Sequence, residues 1–340
     1  MTTVFVSHPA DKVDTYFGAK AAQALHAIAD VRFNPHARDL AGDQLIAALQ
    51  GCEALIAYRQ TPGDARLFAQ CPSLVAFLRC AVDIRTVDVA AASAHGVLVT
   101  QASPGYGAAV SEWIVGAMVD LARGISRYAQ AYHRGAPLAP FMGRELRGST
   151  LGIVGYGHIG QRLGETAMAL GMRLLVTTPQ AGDRAGESGP AHVPLSRLLV
   201  ESDFVVCLAP ANAQTENMFD AAAFASMRRG AFFINAARGE LVDDAALLDA
   251  LDSGHLAGCA LDVGRGPDQM PAPALARHPA VIAAPHIGGL TQPAVEHQAL
   301  ETVEQLTRLL RGDMPAGAVN AADATRLSRW GHVVTQAPQR

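Results

Sequence analysis

The stretch Ser149–Pro179, "STLGIVGYGHIGQRLGETAMALGMRLLVTTP", decides the fold. An apolar run ending at Val154 enters a turn in which Gly155, Gly157 and Gly160 are spaced G-x-G-x-x-G. A helical pattern follows, and then a second apolar run ending in Thr177 and Thr178. Strand, glycine turn, helix and strand in that order make one βαβ unit of a doubly wound sheet. The first glycine permits the tight turn, and the second lets the backbone approach a pyrophosphate. The third lets helix and strand pack closely, and the helix N-terminus then faces the anion. The bland alternative is a glycine-rich turn that binds nothing; the flanking strands favour the dinucleotide reading. The expected contacts are Gly155, Tyr156, Gly157, His158, Ile159 and Gly160. At the end of the second strand, where an acid would grip the adenosine ribose, stand Thr177 and Thr178. A carboxylate would repel a 2′-phosphate and a hydroxyl does not, yet the nearest arginine is Arg184. NAD and NADP both remain open.

Outward from this unit, apolar runs alternate with helical patterns along the whole chain, the sign of parallel sheets with crossover helices. Before it lie "TVFVS", "ALIAYR", "LVAFLRC" and "GVLVTQ", with helical stretches such as "YFGAKAAQALHAIA" and "VDVAAASAHG" between them. After it come "DFVVCLAP", "GAFFINAARG", "AGCALDVG" and "AVIAAPHIG". The expected fold is α/β, with two alternating series that form parallel sheets with helices on both faces. One long helix is expected from Ala108 to His133, apolar on more than one face and so packed between domains or subunits. The last helix, "PAVEHQALETVEQLTRLLRG", places Pro293 in its first turn and Gly312 past its end. Its apolar stripe is Leu300, Val303, Leu306 and Leu310. The tail from Ala321 has weak periodicity and no placement.

Composition agrees with a globular chain: 340 residues, half of them apolar, 17% charged, formal net charge −4. That length holds two domains with sizeable cores. Without blocks of like charge, nothing argues for nucleic acid or an acidic membrane surface. No secretory signal and no apolar run of membrane-spanning length is visible. Five scattered cysteines, with no C-x-x-C pair and no histidine at ligand spacing, read as reduced thiols of a cytoplasmic protein without a structural metal.

Three further residues fall at strand ends, where open α/β sheets place their ligands. Arg238, in "FINAARGE", suits a carboxylate held by two parallel hydrogen bonds. Its bland alternative is an ion pair with Glu240 or Asp243. Asp262 ends "ALD", and His286 follows "AAP". Singly each is an ordinary polar residue; together, behind a dinucleotide turn, they suggest a catalytic site.

With these residues in place, the chain resembles the D-isomer-specific 2-hydroxyacid dehydrogenases, a family that includes glyoxylate/hydroxypyruvate reductases and phosphoglycerate dehydrogenases. The likeness runs through "GRELRGSTLGIVGYGHIG", "INAARGELVDDAALLDAL", "ALDV" and "PHIGGLT", in order and spacing. It implies two Rossmann-like domains with a cleft between them: a substrate domain from residues 1–101 plus 290–340, and a dinucleotide-binding domain from 102–289. It also implies hydride transfer between NAD(P)H and a small 2-oxo or 2-hydroxy acid, in a homodimer. Carried over, Arg238 binds the substrate carboxylate and polarises the carbonyl, and His286 is the general acid of reduction. Asp262 helps to seat the nicotinamide; Pro210, Ala236, Ala237 and Gly288 line the cofactor's path. A phosphoglycerate dehydrogenase-like enzyme and a non-catalytic, dinucleotide-sensing corepressor-like protein are the alternatives.

Two departures from the family pattern stand out. The family's glutamate, which supports the charged histidine, should fall at position 267, which is Pro267. Asp268, one step on, either takes that role or is a solvated turn residue, leaving Gln269 or water as the histidine's partner. In "RCAVDIRTVD", Ala81 and Asp83 stand where glycine is common, and Arg85 where an acid is. Val82 and Asp83 are the expected substrate contacts there.

Overall fold

The computed structural model describes residues 1–178, 190–266 and 269–332. The chain divides into two compact units, one of residues 1–106 and 291–340, the other of residues 107–290.

The first unit is built on a five-stranded parallel sheet of β1 (Thr3–Val6), β2 (Asp30–Phe33), β3 (Ala54–Ala57), β4 (Ala76–Arg79) and β5 (Leu98–Gln101). Its order is β2-β1-β3-β4-β5. Side chains alternate across the sheet, and both faces are apolar. Val4, Val6, Ile56 and Leu78 pack on the side of the helix Gln292–Leu310, with Phe5, Leu55, Phe77 and Val99 on the other. That helix has its proline in the first turn, and Gly312 beyond its end is left-handed. Its buried stripe differs from expectation: Ala299, Val303, Leu306 and Leu309 lie inward, while Leu300 is exposed. The described part of the tail, up to residue 332, has a place. Asn320 accepts the N–H of Val99 at 2.7 Å and donates to the carbonyl of Val97 at 2.9 Å. Leu327, in a 3-10 helix over Thr325–Trp330, is wholly buried.

The second unit carries a seven-stranded parallel sheet: β6 (Thr150–Val154), β7 (Arg173–Thr177), β8 (Ala191–His192), β9 (Phe204–Cys207), β10 (Phe232–Asn235), β11 (Gly258–Leu261) and β12 (Val281–Ala283). Its order, β12-β11-β10-β9-β6-β7-β8, reverses direction between β6 and β9. Such a reversal opens a crevice at the carboxyl ends of the strands. The long helix expected from Ala108 is two helices, Gly107–Arg123 and Ile125–His133. They are separated by Gly124 at φ +66°. Apolar periodicity runs through a single glycine without registering the break. Gly107–Arg123 packs within its own unit, against the helix His158–Ala169 and strands β10 and β11. All five cysteines are buried and none is in a disulfide. Burial pushes the thiols of Cys80 and Cys207 up to about 12, so they behave as inert core groups.

Candidate active site

One row across the second sheet positions most of the residues singled out above. Strand pairing aligns Thr177, Val154, Cys207, Asn235, Leu261 and Ala283 in that order. Parallel strands all point the same way, so the residues that come next on each strand emerge at one edge. Beyond the row lie Thr178, Gly155, the loop to Pro210, Ala236–Arg238, Asp262, and the turn of His286. Adjacent strands stand about 4.8 Å apart, and β10 and β12, which lead into Arg238 and His286, are two steps apart in the sheet.

The glycine turn is shaped by the crevice. Gly155 takes φ +100°, and a Cβ there would stand 2.5 Å from the carbonyl group of Leu208, just after β9. A Cβ at Gly160 would meet the carbonyl oxygen of Gly155 at 2.7 Å. Gly157 differs: nothing lies within 4 Å of its added Cβ. It precedes the helix His158–Ala169, and leaves open space where a pyrophosphate would approach the amides. The residues present therefore fit a dinucleotide. The amide of Gly155 donates to the carbonyl of Thr177 at 3.0 Å, which holds the end of β7 beside the turn. Arg162, one turn along the helix from His158, donates to its ring nitrogen at 3.4 Å.

Arg238 leaves β10 through a turn that Asn235 braces. The Asn235 side chain, 1% exposed, accepts the N–H of Ala237 at 3.0 Å and donates to the carbonyl of Arg238 at 2.9 Å. Sequence reading passed over Asn235. Its signal is a carboxamide ending an apolar strand, because a buried amide must be satisfied. Asp243 caps the helix Asp244–Asp252 through the amides of Ala245 and Ala246. Past β11, Gln269, at φ +60°, reaches the two residues that follow Arg238. Gln269 accepts the N–H of Gly239 at 3.4 Å and donates to Glu240 at 3.2 Å. Pro267 and Asp268 lie outside the described residues.

Asp262 is 3% exposed, and its carboxylate accepts two backbone amides, Ile287 and Gly288, each at 2.8 Å. Burial raises its carboxyl above the ordinary range; the two amides and the charge of nearby His286 act against that rise. His286 follows Pro285 at φ +56°, in the left-handed region that few non-glycine residues occupy. Its amide turns back to the carbonyl of Ala284 at 3.0 Å.

Val82 and Asp83 belong to the first unit, in the loop after β4. Asp83 is gripped by Arg85, whose guanidinium donates at 2.8–3.1 Å and whose backbone N–H donates at 2.9 Å. The same loop is stapled by Arg79, which is wholly buried. Its guanidinium donates to the carbonyl of Tyr58, to that of Thr61 at 2.8 Å and to the hydroxyl of Thr86 at 2.7 Å. Burial lowers its pKa to about 10, with Asp83 opposing. Arg79 too escaped the sequence reading, since nothing in "AFLRC" announces a buried cation.

The geometry defines a doubly wound α/β protein whose polar strand-end residues gather at the edge that carries the glycine turn. Residues 115–288 match the family model described as D-isomer specific 2-hydroxyacid dehydrogenase, NAD binding domain. The chain is 33% identical over 291 residues to D-3-phosphoglycerate dehydrogenase of Rattus norvegicus, covering 85% of this chain and 54% of that protein. It is 33% identical over 286 residues to D-3-phosphoglycerate dehydrogenase 3, chloroplastic, of Arabidopsis thaliana, covering 83% and 49%. The crystal structure of TT0316 protein from Thermus thermophilus superimposes with TM-score 0.82 at 29% identity, covering 94% of this chain and all of that one. The apo-structure of D-lactate dehydrogenase from Escherichia coli shares the fold, with TM-score 0.80 at 24% identity, covering 94% and 100%. This chain belongs to the D-isomer-specific 2-hydroxyacid dehydrogenase family. It spans about half the length of the curated relatives it matches.

Proposed function

We propose that this protein is an NAD(P)-dependent oxidoreductase that interconverts a small 2-oxo acid and the D-2-hydroxy acid. The observation that carries the reading is the row across the second sheet. It sends the glycine turn, Arg238 and His286 to one edge. In this reading the second unit holds the cofactor and the first serves the substrate, with the Val82–Asp83 loop as its contact segment. Gly155–Gly160, Thr177, Thr178, Pro210, Ala236, Ala237 and Gly288 hold the dinucleotide. Either NAD or NADP fits, since Thr178 carries no charge against a 2′-phosphate.

Arg238 holds the substrate carboxylate through paired hydrogen bonds, and its charge draws electron density toward the adjacent carbonyl oxygen. A bound nicotinamide supplies the hydride for reduction and takes it up in oxidation. His286 gives its proton to the carbonyl oxygen as the hydroxyl forms, ending neutral; in reverse it removes that proton. An imidazole, with a free pKa of about 6.5, changes charge readily at neutral pH. We assign the carboxylate of Asp268 to stabilising the charged imidazole in place of the family's glutamate.

The resemblance to named phosphoglycerate dehydrogenases favours a second reading, in which the 2-hydroxy acid is 3-phosphoglycerate. We further propose a homodimer: Ile125, Tyr132, Leu138, Phe141 and Met142 form an exposed apolar segment after Gly124, as a two-fold interface requires. Five buried, unpaired cysteines support a cytoplasmic location, and no helix among the described residues is long and apolar enough to cross a membrane.

The test is oxidation of NADH and NADPH with glyoxylate, hydroxypyruvate, pyruvate and phenylpyruvate, and reduction of NAD and NADP with 3-phosphoglycerate. Turnover of at least one oxo acid is expected. Cofactor binding without turnover of any substrate would replace the enzyme with a corepressor-like sensor.

A further inference from the structure

The resemblance gives Asp262 one task, and the geometry adds another. The resemblance makes it a seat for the nicotinamide. In the structure, both its oxygens are engaged by the chain itself: Oδ1 accepts the N–H of Ile287 and Oδ2 that of Gly288, both at 2.8 Å. These are the two peptide units that immediately follow His286. On the other side, the N–H of His286 is held to the carbonyl of Ala284. The imidazole thus projects from a turn fixed at both ends, in a backbone conformation (φ +56°) that few non-glycine residues adopt.

Gly288 belongs to the same device. A Cβ there would stand 2.6 Å from Asp262 Oδ2, so only glycine lets the carboxylate reach both amides. The demand for a carboxylate is chemical as well as steric. Two N–H donors face the group, and an ionised Asp presents two acceptor oxygens. Asn presents one oxygen and one NH2, and the NH2 would confront a second donor. The anchor is deep, since Asp262 is 3% exposed and directly follows β11, paired to β12 in register at Leu261 and Ala283.

We propose that Asp262 is the positioning residue of His286: its carboxylate clamps the Ile287 and Gly288 amides, holding the turn that aims the imidazole. The proposal rests on the reading of His286 as the proton donor.

The test uses the full chain with Asp262→Asn, which keeps volume and shape, and Gly288→Ala, which keeps the carboxylate but crowds it. Both are checked for folding by circular dichroism. Residue-resolved amide hydrogen exchange reads the clamp without substrate, and fluorescence titration reads NADH affinity. In Asp262→Asn, exchange at Ile287 or Gly288 should speed by about tenfold or more, as expected when a charged hydrogen bond is lost. NADH affinity should stay within about threefold, and kcat should fall by roughly 10–100-fold with KM little changed, the pattern of a misplaced reacting group. Gly288→Ala should reproduce the loss of kcat and of protection. Unchanged exchange in folded Asp262→Asn would overturn the clamp. So would weakened NADH binding with kcat intact, which is the mark of a nicotinamide seat. Should the wild type reduce no 2-oxo acid, the proposed reaction fails, while amide exchange still decides whether the clamp exists.

Discussion

The three glycines of the turn after β6 look equivalent in the sequence and are not equivalent in the structure. Gly155 and Gly160 are required by the fold: a side chain at either would press on backbone at 2.5–2.7 Å. Gly157 has an ordinary φ of −83° and open space around its missing Cβ. The packing gives no reason for glycine there; in the proposed function the reason is a dinucleotide that comes close to the backbone. Gly157→Ala should therefore separate folding from binding. Stability should change by no more than about 1 kcal/mol, the cost of a poorer helix cap. NADH affinity should drop at least about tenfold, corresponding to roughly 1.4 kcal/mol of lost contact. Urea unfolding and fluorescence titration on the same variant check both halves. Undiminished affinity would detach the turn from the cofactor.

At the scale of elements, legibility followed burial. Five strands of the second sheet were readable because parallel strands covered on both faces are continuous apolar runs; the part-exposed edge strand β12 was readable from its short apolar run alone. The exceptions lie at the sheet edges: β2 alternates exposed and half-buried positions, and β8 is two residues long. The strand-end rule located Arg238, Asp262 and His286, because it depends only on where apolar runs stop. What the Asp262 carboxylate touches was not legible. The grip of Asp262 on Ile287 spans 25 residues and exists only because β11 and β12 pair in a particular register. The break at Gly124 was hidden for a related reason, since helical periodicity resumes after it. Yet that glycine governs the segment beyond it: its φ is +66°, and an added Cβ would meet the ring of Phe141 at 2.7 Å. Phe141 in turn stacks on Tyr128, with centroids 5.4 Å apart. Gly124→Ala should destabilise the protein by about 1–2 kcal/mol through the left-handed backbone alone. It should also displace the segment carrying Phe141 and Met142. Sedimentation velocity should show weaker self-association than wild type, since this segment is the proposed two-fold surface. A variant as stable and as associated as wild type would contradict both roles.

At the scale of the whole molecule, the two units own separate cores, and one of them carries a pH liability. His8, at the end of β1 in the first unit, is 1% exposed, its ring 5.3 Å from Phe17 and 5.1 Å from Tyr58. Burial, and then the charge of Arg79, lower its pKa from 6.5 to about 3; a backbone hydrogen bond at Tyr16 opposes them only in part. The folded unit keeps this imidazole neutral, while the unfolded chain accepts a proton as pH falls below 6.5. Stability from this group is therefore complete above about pH 6.5 and is lost progressively down to about pH 3. Linkage puts the loss between pH 7 and pH 5 at about 2 kcal/mol. The chain provides its own reporter, for it has two tryptophans, one in each unit. Trp330 packs on the core of the first unit and donates to Glu53 at 3.3 Å. With Trp113 replaced by Phe, urea unfolding followed at Trp330 should show that loss. His8→Phe, which offers a neutral ring to the same aromatic neighbours, should remove most of the pH dependence whatever it does to stability at pH 7. A slope between pH 7 and pH 5 that survives the substitution would place the acid sensitivity elsewhere and leave His8 as an ordinary packed ring.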